Sequence, residues 1–230
     1  MVGGRLVGLG SGAPVSSWNP PVGSTLPADP PRRGVARLLL VRHGETEYNR
    51  EGRWQGAGSD PPLNAKGRLQ ARMLSRQLAG RPVTVLYTSP QRRARETAVI
   101  IGSSLGLDPH LMPALGEIDH GEWEGKTQAE VLAGWPEEYR AYEVDPWSTP
   151  RPGGETYQEL GERLWPALTR LADLHRGSEI VCVTHGGPIR LVLSRILERP
   201  LTERYAFGVD NASVFAVEES RGTWRLAAAS

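Results

Sequence analysis

Hydrophobic positions along this chain alternate between short continuous runs and helical repeats. Ala36 to Val41 is an apolar run of strand length that ends at Arg42-His43-Gly44, as a buried parallel strand ends at a loop. Asn64 caps a predicted helix over about 65–79, in which Leu69, Met73, Leu74 and Leu78 recur at helical spacing until Gly80 and Pro82 stop it. Val83 to Thr88 reads as a second strand, and Ser89 and Pro90 open a helix to about Leu105. A weak strand is expected near His110 to Met112. Residues 113–154 are rich in Gly, Pro and aromatics, with short helices predicted near 127–133 and 136–143. A longer helix is expected over about 155–175, kinked or split at Pro166. Ile180 to Thr184 is the third strong strand, ending at His185-Gly186-Gly187, with a helix from Pro188 to about Leu197. Two terminal strands, roughly 212–218 and 223–228, are predicted to form a hairpin across Ser220-Arg221-Gly222. The alternation implies an α/β fold, a three-layer α/β/α sandwich around a mostly parallel central sheet.

None of these periods is present in residues 1–34, where Gly, Pro and Ser make up half of the segment. That stretch reads as a disordered or loosely draped tail, without the basic start and continuous apolar core of a signal peptide. The patterned domain is 35–230. The 230 residues carry 27 Lys+Arg against 26 Asp+Glu, a net charge of +1, which argues against a general nucleic-acid or membrane-surface binder. No apolar run reaches the ~18 residues of a membrane span. Cys182 is the single cysteine, so an intrachain disulfide framework and a cysteine-based zinc cluster are excluded and a cytoplasmic enzyme is the default. Homodimerisation is left open. Lys66 and Lys126 are the two lysines; every other cation is arginine, the better fork for phosphate or carboxylate.

Ligands of such sheets bind beyond the carboxyl ends of the strands. Three strands end in Arg42-His43-Gly44, Thr88-Ser89-Pro90 and Thr184-His185-Gly186-Gly187, which places two histidines at equivalent ends. An imidazole unprotonated near neutral pH can attack phosphorus, and neighbouring arginines would keep His43 neutral. Charge developing on the phosphoryl oxygens requires fixed donors, for which Arg42 and His185 are candidates together with Arg92, Arg93 or Arg95 at one helix start. A helix starting at Gly187-Pro188 would add its amides and positive dipole end. Each residue also has an inert reading: Arg42 bridging Glu45 or Asp60, Arg93 pointing to solvent like Arg92 and Arg95, Asn49 capping a turn, and Gln55 a polar loop residue. His110 and His175 read as surface or packing residues, and Cys182 as core.

Arg42-His43-Gly44-Glu45-Thr46 with Asn49, then Thr88-Ser89-Pro90 with Arg93-Ala94 and Thr97-Ala98, then Glu117 leading to Gly121, Trp123, Glu124 and Gly125, then His185-Gly186-Gly187, resemble the histidine phosphatase superfamily, branch 1, the phosphoglycerate-mutase-like proteins. The resemblance spans roughly 36–217. It implies a phosphohistidine on His43, phosphate contacts from Arg42, Arg93, His185, Asn49, Gln55 and Gly186, proton donation by Glu117, and no metal or other cofactor. Two departures stand out. The stretch Gln55 to Leu63 has one more residue before its Asp60 than the usual pattern, and His120 stands where an aromatic or apolar residue is common.

Hydrolases and mutases share these motifs. The interval from Glu117 to His185 is 68 positions, short for the glycolytic mutases this chain resembles. Its centre, 135–149, carries Glu137, Glu138, Glu143 and Asp145 against Arg140, an acidic roof that would repel a bisphosphate. Trp123, Trp135, Tyr139, Tyr142 and Trp147 fall in the same region, pointing either to a leaving group of apolar or ring character or to simple packing. The reading is a metal-independent phosphomonoesterase for small organic phosphates, a nucleoside-like, sugar or ribazole phosphate among them. A phosphoglycerate mutase, a metallohydrolase with His43, His185 and Glu117 as ligands, and a non-catalytic phosphate-binding module are the alternatives.

Overall fold

A six-stranded sheet in the order β3-β2-β4-β1-β5-β6 organises the chain, in a computed structural model that describes residues 26–227. Its strands are β1 (Ala36–Arg42), β2 (Val83–Thr88), β3 (Pro109–Leu111), β4 (Glu179–Thr184), β5 (Val214–Ser220) and β6 (Thr223–Leu226). β1 and β4 run parallel at the centre, in a register that pairs Leu40 with Cys182 and Arg42 with Thr184. β2 is parallel to β4, and β3 to β2. β5 is antiparallel to β1 and makes the expected hairpin with β6, turning through Arg221 and Gly222, both at positive φ.

Alternation along β1 shows why there are three layers. Leu39 and Val41 face the helices α2 (Ala65–Leu78) and α3 (Arg92–Leu105), packing with Leu74, Leu78, Ala94, Ala98 and Ile101. Leu38 and Leu40 face the other way, into a core with α6 (Tyr157–Leu174) and α7 (Gly186–Ile196). The shorter helices are α1 (Glu47–Arg50), α4 (Gln128–Gly134) and α5 (Pro136–Val144), with single-turn helices at 113–115 and 121–123 and a longer 3₁₀ segment over Leu201–Phe207.

Two local expectations are corrected, and two elements had no counterpart in the sequence pattern. Pro166 does not split α6, because it lies on the solvent face, where the freed Glu162 carbonyl can be hydrated, while Leu160, Leu164, Leu168 and Leu171 bury the opposite stripe. Helix α7 begins at Gly186, two residues before Pro188, with His185 as its extended N-cap. The helix α1 and the 201–207 segment were not foreseen: one is a single turn set by the capping box of Thr46 and Asn49, the other carries no helical hydrophobic period.

Of the loose tail over 1–34, residues 1–25 lie outside the described residues. Leu26 packs on the α2–α3 side of the core, the Pro27 carbonyl accepts from Arg81, and the Asp29 carbonyl from Arg37. Among the described residues no helix is long and apolar enough to cross a membrane.

Candidate active site

The β1 and β4 carboxyl ends lie side by side, and their register decides what meets there. The His43 amide donates to the Thr184 carbonyl at 3.1 Å, and the His43 and His185 rings stand 5.1 Å apart between centroids, tilted by 59°. Gly44 makes the turn possible: a Cβ there would collide with the Gly67 carbonyl of α2. His43 is buried, and its Nδ1 lies 2.7 Å from the Gly44 carbonyl. A carbonyl only accepts, so Nδ1 carries the hydrogen and Nε2 keeps its lone pair. Burial, then Arg93, then Arg42, hold the His43 pKa well below the usual imidazole range. The ring is thus held as a neutral imidazole with its Nε2 lone pair free.

His185 is held by Ser89 at the end of β2. The Ser89 hydroxyl donates to the Gln91 side-chain carbonyl and lies 2.7 Å from His185 Nε2, which donates to it. His185 Nδ1 is buried and unpartnered, and burial with the neighbouring cations lowers this histidine's pKa as well.

Arg42 donates through Nη1 to the Val209 carbonyl at 2.7 Å and pairs with neither Glu45 nor Asp60; its Nε is buried without a partner. Burial and then Arg190 bring its pKa down to about 10. Of the three arginines opening α3, Arg92 and Arg95 are exposed and Arg93 is fully buried. Both Arg93 terminal nitrogens are engaged, Nη1 with the Ser59 carbonyl at 2.8 Å and Nη2 with the Gly56 carbonyl at 3.0 Å. The loop with the additional residue thus closes on Arg93, whose Nε is left buried and unpartnered. Buried donors lacking acceptors are uncommon in native proteins, and the Nε groups of Arg42 and Arg93 are two of them.

Glu117 is buried and lines the same cavity as His43. Its Oε1 accepts from the Ile118 and Gly187 amides, both at 3.0 Å, and its Oε2 from the Gly187 amide at 3.3 Å. Burial raises its pKa, against the pull of Arg93, the Ile118 amide, Arg190 and Arg42. The first turn of α7 therefore addresses this carboxyl rather than an anion: Gly187 is engaged and Pro188 has no N–H, which leaves Gly186.

A cavity of about 240 Å³ opens over these groups. Arg42, His43, Glu117, Gly186, Asn49 and Gln55 line it. Asn49 is also the structural cap foreseen as its inert reading: its Oδ1 accepts from Thr46 and Asn211, so its amide nitrogen is what it can offer a ligand. Gln55 likewise accepts from the Thr46 hydroxyl at 2.7 Å through Oε1, leaving its amide nitrogen. His185 and Arg93 are buried behind the cavity wall.

Within 135–149, Tyr142 is the residue that lines the cavity; Tyr139 is core, Trp147 belongs to a separate groove, and Glu143 pairs with Arg204. Trp123 is also core. Packing, not a mobile roof, accounts for most of these aromatics, and the acidic roof does not face the cavity. The apolar wall comes instead from Trp54, Tyr142, Tyr157 and Tyr205. His120 sits edge-on to Trp54 at 4.7 Å between centroids, kept neutral by burial and by Arg151, Arg93 and Arg190, with Nδ1 unpartnered. Arg190 and Tyr205 were missed by sequence reasoning. Arg190 follows Gly186 by one helical turn, a signal that could have found it; Tyr205 offered none. Among the described residues no group of three or more His, Cys, Asp and Glu side chains is placed to hold a metal ion.

Two imidazoles at parallel strand ends, with buried arginine donors and a buried acid, make a site suited to a phosphoryl group on an α/β sandwich. The chain belongs to the histidine phosphatase superfamily (branch 1), whose family model matches residues 38–230. It is 34% identical over 189 residues to phosphoserine phosphatase 1 of Hydrogenobacter thermophilus, covering 81% of this chain and 89% of that protein. It is 34% identical over 191 residues to the probable phosphoglycerate mutase GpmB of Salmonella choleraesuis, covering 83% and 88%. A mycobacterial glucosyl-3-phosphoglycerate phosphatase solved with VO3 superposes with a TM-score of 0.75 at 31% identity, over 84% of this chain and 97% of the other.

Proposed function

We propose that this chain is a phosphomonoesterase that releases phosphate from small organic phosphates through a phosphohistidine on His43, without a metal ion. The observation that carries the reading is the pairing of a neutral His43, its Nδ1 locked on the Gly44 carbonyl, with a buried Glu117 whose pKa is raised. In the first step His43 Nε2 attacks phosphorus and the bond to the leaving oxygen breaks, while the Glu117 proton passes to that oxygen. Arg42 and Arg93 steady the charge on the phosphoryl oxygens, with the amides of Asn49, Gln55 and Gly186 as further donors, and His185 joins them through Nδ1 once the bound dianion favours its protonated form. In the second step the Glu117 carboxylate takes a proton from water, whose oxygen attacks phosphorus. The P–N bond breaks and inorganic phosphate and neutral His43 are restored. Relatives named as phosphatases of phosphoserine and of glucosyl-3-phosphoglycerate support hydrolysis of small phosphoesters. The single buried Cys182 fits a reducing cytoplasm.

The test is a comparison of phosphate release from p-nitrophenyl phosphate and a metabolite panel with isomerisation of 3-phosphoglycerate, with and without a chelator. Chelator-insensitive release exceeding isomerisation is expected. Predominant isomerisation would make the protein a mutase, and loss of activity to the chelator would make it a metallohydrolase.

A further inference from the structure

Arg190 projects from the second turn of α7 into the cavity wall, and its surroundings differ from those of the other cavity cations. Arg53, also in the wall, is paired with Glu51 and Glu130 and donates to the Gly125 carbonyl. Arg190 makes no ion pair or hydrogen bond among the described residues, and its Nε is buried. Its guanidinium carbon lies 5.2 Å from the Tyr205 ring centre, on the aromatic side of the cavity. On the other side it approaches Arg42: a Cβ built on Gly186 would stand 2.6 Å from Arg190 Nη1 and 3.7 Å from Arg42 Nε. The absent side chain of Gly186 is what lets two like charges flank one point, an arrangement that is unfavourable unless anionic groups occupy both.

Charge decides what those groups are. A phosphoryl dianion is answered by Arg42 and by Arg93 behind it, and on the proposed mechanism Glu117 enters the first step as the acid and adds no negative charge. One guanidinium, Arg190, is left over, beside Arg42 and on the aromatic side of the cavity. A single negative charge would satisfy it, whereas a second phosphate would bring an uncompensated charge into a buried wall. The acids of 135–149 do not line the cavity, so nothing there opposes an anion.

Building on the phosphomonoesterase reading, we propose that Arg190 is a specificity-determining residue that binds a carboxylate on the leaving group, so that the substrates are small phosphate monoesters of hydroxy acids. A planar guanidinium takes a carboxylate in two parallel hydrogen bonds, and Tyr205 holds its face.

Matched substrates that differ by the carboxylate provide the test: 3-phosphoglycerate against glycerol 3-phosphate, and O-phosphoserine against O-phosphoethanolamine, with p-nitrophenyl phosphate as reference. The wild-type protein is expected to favour the carboxylate member of at least one pair by roughly 10- to 100-fold in kcat/KM, as a charge-assisted bond implies. In Arg190→Gln that preference is expected to collapse to within about threefold, with a loss on p-nitrophenyl phosphate and on inhibition by inorganic phosphate at least about tenfold smaller than the loss on the carboxylate substrate. Arg190→Lys should restore part of the preference. In the wild-type protein, which bypasses any folding defect of the variants, the carboxylate member should also be the stronger competitor of p-nitrophenyl phosphate hydrolysis. A wild type that turns over p-nitrophenyl phosphate without preferring either carboxylate member overturns the proposal. So does an Arg190→Gln variant that loses inorganic phosphate and all substrates alike, which would make Arg190 a phosphoryl ligand. A wild type that releases no phosphate from any of the five compounds overturns the phosphomonoesterase reading instead.

Discussion

The Gly187 amide donates to both carboxylate oxygens of Glu117, at 3.0 and 3.3 Å, so the helix that begins beside His185 also holds the acid in place. A Cβ at Gly187 would collide with that carboxylate. Gly187→Ala should therefore displace Glu117 and lower kcat by roughly 10- to 100-fold, the scale of a misplaced catalytic group. The thermal midpoint should stay near the wild-type value. Unchanged turnover in a folded variant would show that Glu117 does not need this position.

Glu117 itself is separable from binding. Glu117→Gln keeps the hydrogen-bond acceptor but removes the transferable proton, so an alkyl phosphate should lose about 10²- to 10⁴-fold in kcat. p-Nitrophenyl phosphate, whose leaving group needs little proton assistance, should lose far less. Equal losses on the two substrates would count against the role of acid.

Acid should unfold this protein from an unusual starting point. His43, His120 and His185 are all buried with pKa values held well below the usual one, so the unfolded chain binds more protons than the folded chain once pH falls below about 6.5. The stability they contribute is fully present above that pH and is lost as pH falls through their lowered values. Melting at pH 7.5 and 5.5 should show a lower midpoint at 5.5, and His120→Phe should reduce the difference. A midpoint independent of pH across that window would contradict the assignment of three neutral histidines.

Strand ends were the most legible part of the chain. Short apolar runs terminated by Arg42-His43-Gly44 and His185-Gly186-Gly187 placed both histidines, because a parallel pair of strands in register can only bring their carboxyl ends together. Arg93 was selected over Arg92 and Arg95 by motif position, and the fold turns it inward. Its engagement with the Gly56 and Ser59 carbonyls was not legible, since main-chain acceptors in an irregular loop leave no mark on side-chain pattern. The same holds for the cavity wall. Tyr157 and Tyr205 reach it from the start of α6 and from a 3₁₀ segment, brought together by packing between distant elements. Composition misread 135–149 as an acidic aromatic roof because a count of residues does not say which way they face.

The central claim is the phosphohistidine on His43, and rapid acid-free quenching of the enzyme with radiolabelled substrate measures it most directly. A protein-bound phosphate that is stable in base and labile in acid is expected in the wild type, with none in His43→Ala, whose turnover should be abolished. Phosphoprotein of the same lability in His43→Ala, or substantial turnover by that variant, would contradict it.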